Sequence, residues 1–196
     1  MKIHVVRHFP AVKNVEVEKM LGATKGGALR PLDIQKAARL APIFRAKLEA
    51  EKPKFTLLGH SPTIRAAATM LITTVGIADG APVVEVPELY WTDENIAGTM
   101  ADFKAHDVDV SKWSAEGLAA LDRLGQTGAD GICRVLDEGK VTQGDVFFVG
   151  HGPLTLAVAY RLAGTPEAKQ FCLGCVAKEG SRFVVDGDKV AFVPFE

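Results

Sequence analysis

The feature that most constrains this chain is the alternation of short apolar runs with longer amphipathic stretches. Apolar runs at residues 3–6, 55–58, 83–86 and 146–149 are bounded by Pro, Gly or charged residues, as buried strands are. Between and after them, 31–51, 62–75, 113–124 (continuing or restarting at 132–136) and 154–162 carry apolar residues at helical spacing. Pro31 and Pro62 suit helix first turns, and Gly164 and Pro166 read as stop signals. The tail, 171–195, has turn signals at Glu179-Gly180 and Asp186-Gly187-Asp188 and reads as β-structure with a hairpin. This order predicts an α/β fold, a mostly parallel central sheet with helices on both faces. A length of 196 residues suits one domain, 1–196.

The polar residues that end these runs carry the functional signal. The first run leads into Arg7-His8, the second into Gly59-His60-Ser61-Pro62, and the fourth into Gly150-His151-Gly152-Pro153. In open α/β sheets ligands bind at the carboxyl ends of the strands, where helix N-termini receive anions. Three of the five histidines fall at that edge, Arg7 joins them, and Arg65 follows one helical turn after Ser61. Cations, imidazoles and helix N-termini together suit an anion, phosphate first.

Composition narrows the classes. With 23 basic against 24 acidic side chains the chain lacks the electrostatic footprint of a nucleic-acid binder. The longest uncharged apolar stretch, 66–78, is shorter than the roughly 18 residues a membrane span needs. The four residues between Lys2 and Arg7 are too few for a signal-peptide core, so a cytoplasmic location is expected. Cys133, Cys172 and Cys175 are an odd number, and Cys172-Leu-Gly-Cys175 has no second ligand pair, so buried thiols are expected rather than a metal or redox site.

These residues resemble the histidine phosphatase superfamily, with its phosphoglycerate-mutase-like fold. Val5-Val6-Arg7-His8 resembles the family's strand followed by Arg-His-Gly, with Asn14 six residues after the histidine. Ser61-Pro62-Thr63-Ile64-Arg65-Ala66-Ala67-Ala68-Thr69 matches Ser-Pro-x-x-Arg-Ala-x-x-Thr in full. Phe147-Phe148-Val149-Gly150-His151-Gly152 resembles the third signature, and Pro31-Leu32-Asp33 the family's Pro-Leu-Thr. Size and Val86-Pro87-Glu88-Leu89 are similar to the short bacterial phosphohistidine phosphatases.

The resemblance implies a phosphatase without metal or cofactor, acting on a phosphorylated small molecule or phosphoprotein. His8 would form a phosphohistidine, with Arg7, Arg65 and His151 holding the phosphoryl oxygens. Asn14, Ser61 and Gly152 would assist binding. Glu88 is the candidate to protonate the leaving group, with Asp93 and Glu94 next. Phe9-Pro10 departs from the family's glycine and polar residue, which predicts an altered pocket entrance. His60, where many relatives have a small residue, reads as structural. Residues 89–112 read equally as a small lid or as surface structure.

Two other readings stay open. One is a family member that binds a phosphorylated ligand or partner without turnover. The other is a serine esterase using Ser61, because Gly59-His60-Ser61-Pro62-Thr63 looks like a damaged nucleophile elbow. Against it, Pro62 removes the N–H that an oxyanion hole would use.

Overall fold

The computed structural model describes residues 1–12, 31–90 and 93–195, the side chains of 93–97 excepted. In chain order the elements are β1 (Lys2–Arg7), α1 (Ile34–Glu51), β2 (Phe55–His60), α2 (Ile64–Thr74), β3 (Val83–Glu85), α3 (Asp93–His106), α4 (Ala115–Glu138), β4 (Asp145–Gly150), α5 (Leu154–Ala163), α6 (Pro166–Leu173), β5 (Arg182–Asp186) and β6 (Lys189–Val193). Short 3-10 turns occupy Pro87–Leu89 and Val110–Lys112. The described strands form one sheet in the order β3-β2-β4-β1-β5-β6. The first four are mutually parallel, and the β5-β6 hairpin adds antiparallel to β1.

Period-two alternation divides the strand side chains between two cores. Val5, Leu57, Val146, Phe148 and Phe183 pack with α4, α5 and α6 on one face. Val6, Leu58, Phe147 and Val149 pack with α1 and α2 on the other. The expected architecture, helices on both faces of a mostly parallel sheet with a C-terminal hairpin, is the observed one.

Two segments read differently in three dimensions. Pro166 opens α6 rather than ending structure: its missing N–H costs nothing at the first helical position, and Thr165 Oγ1 accepts from Ala168 N at 3.2 Å. The tail therefore stays helical to Leu173, and its β-structure begins at Arg182. The stretches at 113–124 and 132–136 join in one helix, α4, which begins at Ala115 after its cap Ser114. It tolerates Gly125 and Gly128 because its neighbours lie so close. A Cβ on Gly125 would sit 2.6–2.9 Å from Ala157, and one on Gly128 2.6 Å from Val158. Helix α3, which has no apolar periodicity, docks through Phe103, which packs against the core, and through Asp102, whose carboxylate accepts from Ser114 N and Oγ at 3.1 and 2.6 Å. No described helix is long and apolar enough to cross a membrane.

Candidate active site

Sheet order assembles the site. β4 lies between β1 and β2, so the carboxyl ends of these three strands are adjacent. His8 N donates to Gly150 O at 3.1 Å, and Ser61 N donates to Val149 O at 2.9 Å, locking the three loop starts together. Arg65 stands in the first turn of α2, whose N-terminus is held by Thr63 Oγ1 accepting from Ala66 N at 3.3 Å.

The hydrogen bonds assign the imidazole tautomers. His8 Nδ1 lies 2.6 Å from the Phe9 carbonyl, which can only accept, so Nδ1 carries the proton. Arg65 Nε donates to His8 Nε2 at 3.2 Å, so Nε2 presents its lone pair. The other end of the same guanidinium faces His151 Nδ1 at 3.1 Å. A guanidinium only donates, so His151 is protonated on Nε2, which donates to Ser61 Oγ at 2.6 Å. The two rings are 4.8 Å apart between centroids.

Electrostatics keeps both rings neutral. Burial, then the Arg65 charge, pushes His8 down to about 3; the Phe9 carbonyl opposes this and Arg7 adds to it. His151 falls well below the ordinary histidine range through burial, then His8, Arg65 and Arg7. Arg7 is itself lowered by burial, with Glu179 and Asp107 partly offsetting the loss. Its Nη1 donates to Ala177 O at 2.7 Å, and its Nη2 lies 4.0 Å from Glu179.

The remaining candidates divide. Ser61 is fully buried behind His151 and orients that ring. Gly152 adopts φ +37, and its carbonyl accepts from Thr155 Oγ1 at 2.9 Å. The Glu88 carboxylate is turned towards α4, where Arg134 Nη2 donates to both its oxygens at 3.1 Å. His60 donates from Nδ1 to Ser61 O at 2.8 Å. Asn14 and the side chains of Asp93 and Glu94 lie outside the described residues.

Phe9 corrects an expectation. Its ring is fully buried in the core between Phe44 and Phe195, with both ring centroids at 5.8 Å. Its amide donates to Thr69 Oγ1 at 3.0 Å, while Thr69 Oγ1 donates to Arg65 O at 2.7 Å. The bulk at position 9 therefore builds core rather than narrowing the pocket.

Two neighbours had escaped the sequence reading. Tyr90, directly after Pro-Glu-Leu, sets its ring edge-to-face on His151 at 5.3 Å. The 177–181 segment, legible only as a turn signal, wraps Arg7.

No family model and no curated protein matches this sequence. Solved structures do. The protein histidine phosphatase SixA, complexed with tungstate, superposes with a TM-score of 0.54 at 16% identity, covering 98% of this chain and 94% of that one. The fold is that of the histidine phosphatases. An alpha-ribazole phosphatase from Shigella flexneri gives 0.59 at 19% identity, over 100% and 96% of the two chains. A phosphoserine phosphatase from Entamoeba histolytica, in complex with phosphoserine, gives 0.52 at 13%, over 99% and 95%.

Proposed function

We propose that this chain is a metal-independent histidine phosphatase that works through a phosphohistidine on His8. The observation that carries the reading is the His8 tautomer: Nδ1–H is committed to the Phe9 carbonyl and the neutral Nε2 lone pair faces Arg65. As Arg65 Nε turns its N–H from His8 to a phosphoryl oxygen, the freed Nε2 lone pair attacks phosphorus and the bond to the leaving group breaks; water then cleaves the P–N bond, releasing phosphate and restoring His8. Arg65 and Arg7 hold the non-bridging oxygens, supplying the positive charge that a metal supplies in other phosphoryl-transfer sites. His151 joins the oxygen-binding group when its Nε2–H, donated to Ser61 Oγ in this structure, turns to a phosphoryl oxygen.

The ion pair between Glu88 and Arg134 bears on substrate class. An alkoxide leaving group needs a proton donor, and Glu88 meets that need only by exchanging its Arg134 partner. An imidazole leaves more readily, which favours phosphohistidine over an alkyl phosphate. The esterase reading loses support. A serine nucleophile needs a base that accepts its proton, and His151 Nε2 already carries one because Arg65 occupies Nδ1.

Hydrolysis of a chromogenic phosphomonoester and of phosphohistidine, by wild type and His8→Ala with and without chelator, tests the proposal. Turnover that survives chelation and disappears in His8→Ala is expected. Turnover that His8→Ala retains overturns it. Binding of phosphate analogues without turnover of either substrate would favour a non-catalytic phosphoryl-binding protein.

A further inference from the structure

Arg7 stands apart from the imidazole network. Its Nε has no hydrogen-bond partner among the described residues, and its side chain is 12% exposed. What faces its outer end is Glu179, 4.0 Å from Nη2 and 34% exposed, the more solvent-accessible member of the pair. The main chain that carries Glu179 is fixed beside Arg7. Arg7 N donates to Ser181 O at 3.0 Å, and Gly180 N donates to Arg7 O at 3.1 Å. Gly180 sits at φ +78, where a Cβ would be 3.1 Å from both Phe9 and Phe195. The two residues that follow Glu179 are thus pinned to the end of β1 and to the core beneath it.

A second carboxylate acts on the same guanidinium from a different element. Asp107 follows α3 in a left-handed conformation, its amide bonded to Phe103 O and its carbonyl to Trp113 Nε1. Its charge reaches Arg7. The site is therefore polarised: Arg65 and two imidazoles at the His8 end, the Glu179 carboxylate beside Arg7 Nη2.

We infer that Glu179 is a specificity-determining residue, which favours phosphoryl substrates whose leaving group carries a positive charge and disfavours those with an additional anionic group. The inference rests on the phosphatase reading above. Because Glu179 lies 4.0 Å from Arg7 Nη2, a substrate whose phosphoryl group is gripped by Arg7 sits in the field of that carboxylate. At that range the sign of a substituent charge matters even beside water. Asp107 adds to the same field, and imidazolium or ammonium leaving groups are the chemistry it suits.

The test compares kcat/KM for phosphocholine, p-nitrophenyl phosphate and 3-phosphoglycerate, which carry a cationic, a neutral and an anionic substituent. Wild type should prefer the cationic ester to the anionic one. Glu179→Gln should shrink that ratio by about fivefold or more, the factor that roughly 1 kcal/mol gives. Glu179→Asp should retain most of the ratio, and raised salt should reduce the wild-type ratio. A Glu179→Gln effect equal for all three esters, or an unchanged ratio, overturns the inference and leaves Glu179 as a support for Arg7. His8-independent turnover would instead sink the phosphohistidine mechanism alone. If turnover is too slow to measure, calorimetric binding of the same three esters to wild type and Glu179→Gln reads the same ratio.

Discussion

Arg65 serves two imidazoles with one planar group, Nε to His8 and Nη2 to His151. A lysine keeps the charge but has a single head that cannot span both rings. Arg65→Lys should lower kcat/KM by about 10²–10³-fold, as loss of a transition-state donor does. The melting temperature should move far less, and steady-state kinetics beside a thermal melt checks both. Phe9 is the second informative residue. The resemblance assigns glycine to its position, yet its ring fills the space between Phe44 and Phe195. Phe9→Gly should destabilise by about 4 kcal/mol in urea denaturation, the usual cost of emptying a buried phenylalanine site. Unchanged stability with altered substrate preference would show instead that the ring borders the pocket.

Helix α4 shows two element-level forces in opposition. Alanine at an interior glycine gains about 1 kcal/mol of helix propensity. At Gly125 the new Cβ would meet the backbone C and O of Ala157 at 2.8–2.9 Å, so α5 would have to move. Overpacking of this kind costs about 1–3 kcal/mol, so Gly125→Ala should be net destabilising, read as a fall in denaturation midpoint. Because α5 starts just beyond His151, activity should fall with it. Gly131 differs, since its Cβ would meet the Glu88 side chain rather than backbone. Much of this element level was legible along the chain: the strands that end in Arg7-His8, Ser61 and His151 are where their apolar runs place them. The close approaches at the glycines of α4 and the Asp102–Ser114 contact that docks α3 were not. Local periodicity records which face a helix buries but not how closely a neighbour approaches.

The whole molecule carries three buried histidines that it keeps uncharged. His4, enclosed beside Arg182, is lowered to about 4 by burial first and the Arg182 charge second. His8 is lowered to about 3, and His151 is lowered too. In the unfolded chain such groups titrate near 6.5. Below that pH the unfolded state binds protons that the folded state refuses, so stability falls as pH falls. Each histidine contributes about 1.4 kcal/mol per pH unit until its folded form also protonates. Urea denaturation should therefore show a histidine contribution that is flat above pH 7 and declines from pH 6.5 towards 4. Replacing His4 with phenylalanine should make that decline shallower.

The sequence by itself determined the class of fold and the residue types gathered at one edge of the sheet. Both follow from order along the chain, because apolar periodicity sets each element and the residue after a strand falls at its carboxyl end. Only the tertiary structure decided which partners those residues meet. Arg7 finds Ala177 from 170 residues away, and Glu88 finds Arg134 from 46. Phe9 turns to the core, and Glu179 rather than Glu88 borders Arg7. Those pairings depend on β4 entering between β1 and β2 and on the hairpin adding beside β1. Strand order is a property of the whole packed chain, chosen by the joint burial of two cores, and no local stretch encodes it.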